Sequence, residues 1–366
     1  MARKPLSSTL PEFPWNTLAG ARATAEAHPD GIVDLSVGNP VDPVSPSVQL
    51  ALADAASDPG YPPTAGSDEL RVAIHAALTR RYGMEFAPEG VLPVVGTKEA
   101  IASLPTFLGL RGQAVVIPEV AYPTYEVGAL LAGATPVRAD APEDFPADTA
   151  LIFLNSPSNP SGRVMDVEEL RAVVAWAREH GAIVASDECY ISLGWDDANL
   201  PVSILDPRVT DGDTTGLIAM HSLSKSANMA SYRAGMFAGD SVLLAELLEV
   251  RKHAGLMIPG PVQSAMLAAL ADDPSEQLQR SRYATRRAQL MRALTQAGFR
   301  IDHSEAGMYL WATRGEDCRA SVEWLADRGI LVAPGDFYGP AGQQYVRVGL
   351  NGTDERIAAA CQRLAS

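Results

Sequence analysis

Cysteine is scarce in this sequence, and the residues that build zinc sites do not occur at the required spacings. Three cysteines stand far apart in 366 residues, at Cys189, Cys318 and Cys361. An odd number of distant thiols argues against a disulfide framework and favours a reducing compartment, so we expect a cytoplasmic protein. The six histidines are scattered, with no His-Glu-x-x-His and no paired Cys-x-x-Cys. We therefore expect no metal site.

Long apolar runs and an excess of positive charge are also lacking. No segment approaches the roughly 20 consecutive apolar residues that a membrane-spanning helix needs. Asp and Glu outnumber Lys and Arg by 44 to 29, which gives a formal net charge of −15. Nucleic acids and anionic membranes attract basic surfaces, so we expect neither as a partner. One basic cluster has helical spacing, and we interpret it as a solvent-exposed helix face. It comprises Arg280, Arg282, Arg286, Arg287 and Arg292.

A Gly-x-Gly-x-x-Gly motif after an early strand is absent too, which argues against a nicotinamide-dependent dehydrogenase. The chain instead alternates short apolar runs with segments of helical periodicity. The predicted strands are residues 91–95, 114–117, 135–138, 151–154, 183–186, 217–221 and 236–238. The predicted helices between them are residues 98–108, 124–131, 167–179 and 242–253. This alternation predicts an α/β fold with a mostly parallel, seven-stranded sheet.

The C-terminal part has a different pattern, in which a long helical segment precedes a mixture of short strands and one helix. The predicted helices there are residues 274–296 and 320–328, and the predicted strands are 308–312, 330–333 and 345–350. We interpret this part as a smaller α+β domain whose sheet can recruit the N-terminal segment. The expected domains are residues 1–40 (N-terminal arm and part of the small domain), 41–280 (large domain) and 281–366 (C-terminal small domain).

One short stretch carries the groups that could hold a phosphorylated carbonyl cofactor. Lys225 ends Ser222-Leu223-Ser224-Lys225, and Arg233 follows eight residues later. A lysine amine can form a Schiff base with a carbonyl group, and hydroxyls with an arginine can hold a phosphate dianion. These are the parts of a pyridoxal phosphate (PLP) pocket. Taken alone, the stretch also fits a surface loop with a solvated lysine.

Other polar motifs stand at the carboxyl ends of predicted strands, where open α/β sheets bind ligands. Gly96-Thr97-Lys98 opens a helix, and a helix N-terminus attracts phosphate. Asn159 lies in a proline-rich turn, where its amide could donate to a phenolate oxygen. Each motif, taken alone, also fits an ordinary helix cap or loop.

Two further polar side chains follow the strand predicted at residues 183–186. Asp187 stands at its end, where a carboxylate could pair with a ring nitrogen, and Tyr190 lies three residues later. Each of these residues alone could be a loop cap. Together with the lysine stretch, and in this order, they are better explained as parts of one cofactor site.

Taken in order, the motifs resemble those of the class I and II aminotransferases, PLP-dependent enzymes of fold type I. They are Gly96-Thr97-Lys98-Glu99-Ala100, Asn159-Pro160-Ser161-Gly162, Asp187-Glu188-Cys189-Tyr190, Ser222-Leu223-Ser224-Lys225 and Tyr232-Arg233-Ala234-Gly235. The resemblance runs through nearly the whole chain. It implies PLP as cofactor, amino acids and 2-oxo acids as substrates, and a homodimer with shared active sites. Ser161 departs from the family's usual threonine, and Lys98 from its small or amide residue.

The resemblance also implies a role for each matching residue. Lys225 would carry PLP covalently and move the substrate proton, with Asp187 and Tyr190 as the other catalytic residues. Asp187 would pair with the ring nitrogen, and Tyr122 would stack on the ring. Tyr190 and Asn159 would bind the phenolic oxygen of the ring.

The remaining implied roles concern the phosphate and the substrate. The phosphate would be surrounded by Gly96, Thr97, Lys98, Ser222, Ser224 and Arg233. Arg347 would bind the substrate α-carboxylate, assisted by Gly38 and Asn159. Tyr61, in Gly60-Tyr61-Pro62, would reach the phosphate of the neighbouring subunit.

No motif identifies the residues that would bind the distal part of the substrate. The substrate is therefore indicated only by a closer resemblance. Residues 10–15, 118–127 and 332–339 are most similar to bacterial N-succinyl-diaminopimelate aminotransferases, which use glutamate as amino donor in lysine biosynthesis. The first hypothesis is therefore amino exchange between N-succinyl-L,L-diaminopimelate and 2-oxoglutarate or glutamate. The alternative is a broad-specificity aspartate or aromatic aminotransferase. A PLP-dependent carbon–sulfur lyase and a PLP-binding regulator are further alternatives, and the acidic charge disfavours the regulator.

Overall fold

The computed structural model describes residues 5–198 and 200–365. The first four residues of the expected arm and the last residue of the expected small domain lie outside that part. The strands are β1 (Val33–Asp34), β2 (Val91–Val94), β3 (Ala114–Ile117), β4 (Thr135–Arg138), β5 (Thr149–Asn155), β6 (Ile183–Asp187), β7 (Leu217–Ser222), β8 (Gly235–Gly239), β9 (Arg300–Asp302), β10 (Tyr309–Thr313), β11 (Ile330–Leu331), β12 (Ala333–Pro334) and β13 (Val346–Gly349). The α-helices are α1 (Ala19–Glu26), α2 (Pro46–Asp54), α3 (Asp68–Tyr82), α4 (Thr97–Phe107), α5 (Thr124–Ala132), α6 (Val167–His180), α7 (Pro207–Thr210), α8 (Leu223–Ser226), α9 (Ser241–Ala254), α10 (Gly260–Ala271), α11 (Asp273–Gln296), α12 (Cys318–Ala326) and α13 (Asp354–Leu364).

Seven strands form one large sheet in the order β2-β8-β7-β6-β5-β3-β4. Strand β8 pairs antiparallel with both neighbours, and the other pairs are parallel. Every residue of β2, β3, β7 and β8 is buried, which explains why these strands are continuous apolar runs. The predicted α/β fold with a mostly parallel seven-stranded sheet is therefore confirmed.

The helices between the strands bring the polar strand ends to one edge of this sheet. Parallel strands need crossover connections, and α4, α5 and α6 are among those that provide them. Helix α6 begins at a reciprocal cap in which Asp166 accepts from the Glu169 N–H and Glu169 accepts from the Asp166 N–H. The ends of β2, β6 and β7 and the start of the antiparallel β8 consequently lie at the same edge. Sequence motifs that are far apart along the chain become neighbours there.

The C-terminal part forms a four-stranded antiparallel sheet in the order β12-β13-β10-β9. The N-terminal β1 pairs in parallel with β11, so the N-terminal segment does join this part of the chain. The single strand predicted at residues 330–333 is wrong in detail, because β11 pairs with β1 whereas β12 pairs with β13. The boundary expected at residue 280 falls inside the continuous helix α11, and the domain division stays a prediction.

The basic cluster on α11 is not a solvent-exposed face throughout. Arg286 is 2% exposed, and it donates to both carboxylate oxygens of Asp42 at 2.7 Å. Its Nε donates to Asp354 at 2.7 Å. The interpretation as an exposed face is wrong for Arg286, because its acidic partners come from distant parts of the sequence. This ion pair connects the segment that follows Gly38 to the long helix.

None of the helices within residues 5–198 and 200–365 is long and apolar enough to cross a membrane.

Candidate active site

A cavity of about 950 Å³ lies at the polar edge of the large sheet, between that sheet and the C-terminal one. The sequence-predicted residues that line it are Gly38, Thr97, Lys98, Tyr122, Asn159, Asp187, Tyr190, Ser222, Ser224, Lys225, Arg233 and Arg347. Gly96 lies directly against Arg233. Tyr61 is 95% exposed on the surface of the chain. Across the described ranges, no group of three or more His, Cys, Asp or Glu side chains could hold a metal ion.

Lys225 lies on the short helix α8, which begins where β7 ends. Its ammonium donates to the backbone oxygen of Gly38, and burial in the cavity lowers the pKa of its amine. A lowered pKa increases the neutral fraction, which is the nucleophilic form of lysine. Lys225 is therefore suited both to attack a carbonyl carbon and to accept a proton.

Asp187 ends β6 and presents a buried carboxylate to the cavity. It is 5% exposed, and burial raises its pKa. Its Oδ2 accepts a hydrogen bond from the Tyr125 hydroxyl at 2.8 Å, and its Oδ1 accepts from the Cys189 N–H at 3.2 Å. Both donors are neutral, so a cation placed beside this carboxylate would stabilise its ionised form. The protonated ring nitrogen of PLP fits that requirement.

A second group of residues in the cavity is suited to hold an anion. Arg233 faces the N-terminus of α4 at Thr97, and the hydroxyls of Ser222 and Ser224 line the same region. Burial first, and then the charge of Arg233, lowers the pKa of Lys98. An anion near both cations would relieve their repulsion, and the PLP phosphate suits Arg233, the two hydroxyls and the helix N-terminus. The residues present therefore fit the cofactor at its phosphate as well as at its ring nitrogen.

Gly96→Ala is expected to weaken PLP binding at least tenfold. Gly96 has φ +74, and a Cβ at this position would overlap Nη2 of Arg233. The arginine is the flexible partner and would move away from the phosphate position. Gly181→Ala is the matched control, because Gly181 has φ +68 and a Cβ added there would meet no atom of the described residues within 4 Å. The left-handed backbone of Gly181 (φ 68, ψ 25) should cost its variant about 1 kcal/mol of stability. The backbone of Gly96 (φ 74, ψ 147) is adopted readily only by glycine and should cost about 1 to 3 kcal/mol, so affinities are compared on folded protein. Fluorescence titration with PLP checks the prediction, and equal affinity in the two variants would contradict it.

Arg347, on β13, is a buried cation that is suited to a substrate carboxylate. Its Nη1 donates to Oδ1 of Asn159 at 2.9 Å, and its Nη2 donates to the Ser36 carbonyl at 2.6 Å. The guanidinium carbon lies 3.9 Å from the ring centroid of Tyr309 and 5.2 Å from that of Tyr338. Its Nε has no hydrogen-bond partner in the described part of the chain. A buried arginine held in this way, with an N–H to spare, fits the α-carboxylate of an amino acid.

Sequence reasoning missed two tyrosines of this site. Tyr125 lies on the predicted helix at residues 124–131, where an aromatic residue normally indicates core. Tyr309 lies within a strand that reads as core, and its hydroxyl reaches that of Tyr190 at 3.4 Å. No sequence signal separates Tyr309 from an ordinary core residue. Phe13 and Trp15 of the N-terminal arm also line the cavity.

The comparisons with known proteins agree with this geometry. The family model described as aminotransferase class I and II matches residues 30–364. The probable aminotransferase Rv1178 of Mycobacterium tuberculosis is 63% identical, over 99% of this chain and 87% of that protein. The 4-dedimethylamino-4-oxo-anhydrotetracycline transaminase OxyQ of Streptomyces rimosus is 55% identical, over 97% and 99%.

More distant relatives extend the same comparison. The LL-diaminopimelate aminotransferase of Aquifex aeolicus is 32% identical, over 91% of this chain and 90% of that protein. A solved aminotransferase structure from Neisseria meningitidis superimposes with a TM-score of 0.91 at 29% identity, covering 99% of this chain and 98% of that one.

Proposed function

Because this chain belongs to the class I and II aminotransferases, we propose that it exchanges an amino group between N-succinyl-L,L-diaminopimelate and 2-oxoglutarate or glutamate. Its fold is that of the fold type I enzymes, and its cofactor is PLP. The choice of substrate is the proposal. It places the enzyme in lysine and diaminopimelate biosynthesis. The relatives whose names give LL-diaminopimelate as substrate support an amino acid of this carbon skeleton.

The observation that carries the proposal is a second cation in the cavity, Lys98, which lies beside aromatic rings of the N-terminal arm. The Lys98 ammonium lies 5.8 Å from the ring centroid of Phe13, and the Phe13 and Trp15 ring centroids are 5.5 Å apart. Aromatic rings beside a cation suit a long side chain that is mostly apolar and ends in a carboxylate. The succinyl group of the proposed substrate provides that carboxylate.

Each residue of the site has a different role in the proposed reaction. Bound PLP supplies an electron sink for the negative charge that develops at the substrate Cα. Asp187 favours the protonated ring nitrogen, on which that sink depends. Lys225 takes the Cα proton as a base and returns it as an acid, which its lowered pKa permits. Arg347 fixes the α-carboxylate, so that the Cα–H bond is held in one orientation.

A homodimer with shared active sites is part of the proposal. Tyr61 points away from its own chain, with 95% of its surface exposed. Tyrosine is enriched at protein interfaces, so this exposed side chain suits contact with a second copy. The role of Tyr61 at the neighbouring phosphate and the cytoplasmic location stay predictions.

A substrate panel tests the proposed function. With 2-oxoglutarate as acceptor, we expect kcat/KM for N-succinyl-L,L-diaminopimelate to exceed that for L,L-diaminopimelate, aspartate and phenylalanine at least tenfold. A preference for aspartate or phenylalanine would instead establish the broad-specificity alternative. A second candidate, amination of a bulky cyclic ketone, is favoured by the 55% identity to OxyQ. Activity on such a ketone, without activity on the succinyl substrate, would decide for that candidate.

Lys98→Met is expected to lower kcat/KM for N-succinyl-L,L-diaminopimelate about 30-fold, because a charge-assisted hydrogen bond contributes about 2 kcal/mol. The variant keeps the length and apolar stem of the side chain. Turnover of phenylalanine, which has no distal carboxylate, should change less than threefold. Lys252→Met is the control, since Lys252 is exposed and pairs with Glu249 at 2.6 Å. Equal losses for both substrates would show that Lys98 serves the cofactor rather than the substrate.

A further inference from the structure

Tyr309 is a third tyrosine of the cavity, beside Tyr122 and Tyr190. It begins β10 of the C-terminal sheet and is 3% exposed. Its hydroxyl lies against Gly38, since a Cβ on that glycine would overlap the hydroxyl oxygen. Lys225 donates to the carbonyl of the same glycine. The hydroxyl of Tyr309 and the amine of Lys225 therefore converge on one backbone residue.

The ring and the hydroxyl of Tyr309 contact two different halves of the site. The face of the ring lies 3.9 Å from the guanidinium carbon of Arg347, which is within the range of a cation–π interaction. The hydroxyl oxygen lies 3.4 Å from that of Tyr190, and the two rings meet edge to face with centroids 5.8 Å apart. One side chain thus connects the carboxylate-binding arginine with the tyrosine expected at the cofactor ring.

The two hydroxyls have different electrostatic surroundings. Burial acts to raise the pKa of Tyr309, but the neighbouring cations Arg347 and Lys225 outweigh it and leave that pKa below the ordinary value. The pKa of Tyr190 is well above the ordinary value, first through burial and then through Tyr309. The other titratable groups that face Tyr309 are Cys189, Tyr122, Tyr283 and Tyr338. Under the role proposed for Tyr190, its one hydroxyl hydrogen goes to the phenolic oxygen of PLP, so within this pair Tyr190 accepts and the Tyr309 hydroxyl donates.

We propose that Tyr309 is a positioning residue of the amino-transfer reaction, whose hydroxyl donates to Tyr190 and whose ring holds the Arg347 guanidinium. The hydroxyl part rests on the role proposed for Tyr190 at the phenolic oxygen of PLP. A donor that is itself hydrogen-bonded donates more strongly. Tyr309 consequently strengthens the bond from Tyr190 to that oxygen, and it acts on the cofactor only through Tyr190.

The hydroxyl part is tested on the PLP-loaded enzyme without substrate. The visible absorbance of lysine-linked PLP titrates with pH, and a donor to the ring oxygen stabilises the deprotonated form and so lowers the midpoint. Tyr309→Phe is expected to raise the midpoint by about 0.5 to 1 pH unit, as the loss of one hydrogen bond implies. Tyr190→Phe should raise it at least as far. The double variant should match Tyr190→Phe alone.

The outcomes of this titration separate the inference from the proposed function. A wrong substrate assignment leaves the titration untouched, because no substrate is added. If Tyr190→Phe shifts the midpoint and Tyr309→Phe does not, the inference on the hydroxyl is overturned. If the two shifts add in the double variant, Tyr309 does not act through Tyr190. If Tyr190→Phe has no effect, the role of Tyr190 fails, and this part of the inference fails with it.

The ring part is tested by comparing Tyr309→Phe with Tyr309→Leu. Phenylalanine keeps the aromatic face for Arg347, so KM for L-glutamate should stay within about twofold. Leucine removes that face, and KM should rise about tenfold. Thermal unfolding of both cofactor-free variants controls for a general loss of packing. Equal KM values in two variants that remain folded would overturn the inference on the ring. If the Leu variant does not fold, the test falls to the Phe variant, and a rise in its KM would overturn the inference.

Discussion

Lys225→Ala is expected to lower kcat by roughly 10⁴-fold or more, since the variant loses both the covalent link to PLP and the acid–base group of the reaction. Other residues are proposed to hold the phosphate and the ring of the cofactor, so the variant should still bind PLP. The visible band of the lysine-linked cofactor should be replaced by the spectrum of free pyridoxal phosphate. Stopped-flow and steady-state assays with glutamate, together with the absorbance spectrum, measure both effects.

Lys252→Ala is the matched control for this experiment. Lys252 lies on α9, and its side chain is 48% exposed in a surface pair with Glu249. Its loss should change kcat less than twofold, because surface ion pairs contribute little. Normal turnover in Lys225→Ala, with the control behaving as expected, would refute the assignment of Lys225.

Asp187→Asn is expected to lower kcat about 10³-fold. The substitution keeps the size of the side chain and an oxygen that can accept from Tyr125, but it removes the buried negative charge. Loss of a charge partner that shifts a pKa by about three units corresponds to about 4 kcal/mol. The ring nitrogen of PLP would then lose its proton, and the cofactor would be a weaker electron sink. Rates of the glutamate half-reaction measure the effect.

Glu188→Gln is the control, because Glu188 is the next residue and is 0% exposed. Its side chain points away from the cavity, towards the Ile204 N–H and His221. We expect Glu188→Gln to lower thermal stability and to leave kcat within a few-fold. A similar loss of kcat in both variants would show that Asp187 acts through packing rather than through its charge.

The raised pKa of Asp187 also predicts the pH dependence of cofactor binding. Burial raises this pKa in the cofactor-free chain, so the folded state holds the proton more tightly than the unfolded state does. The stability that this proton contributes is present at low pH and is lost as pH rises through the folded pKa. PLP needs the ionised carboxylate, so its affinity should rise over the same range. The Asn variant should lack this dependence.

The sequence predicted the strands of the large sheet well, because each strand buried on both faces is a local apolar run. The order and direction of the strands in the sheet were harder to predict from the sequence. The antiparallel β8, for example, reads like any other buried strand. The split between β11 and β12 depends on two different partner strands, β1 and β13. Tertiary pairing of this kind leaves no local pattern.

The candidate site was predictable where polar residues interrupt apolar patterns. Asp187, Asn159 and Lys225 stand out at strand ends, and they do line one cavity. Tyr125 and Tyr309 were missed because an aromatic residue in a helix or strand normally indicates core. Both are buried, at 0% and 3% exposure, and only the fold shows that their hydroxyls face Asp187 and Tyr190. The functional roles of these residues stay predictions, and the variants above test those of Asp187, Lys225, Tyr190 and Tyr309.

The central claim concerns substrate and half-reaction together, and one absorbance measurement tests both. The PLP-loaded enzyme is mixed with N-succinyl-L,L-diaminopimelate in the absence of any 2-oxo acid. We predict loss of the visible band and growth of the near-ultraviolet band of the aminated cofactor, with restoration of the visible band on addition of 2-oxoglutarate. A visible band that this compound leaves unchanged, but that aspartate or phenylalanine removes, would contradict the proposed substrate.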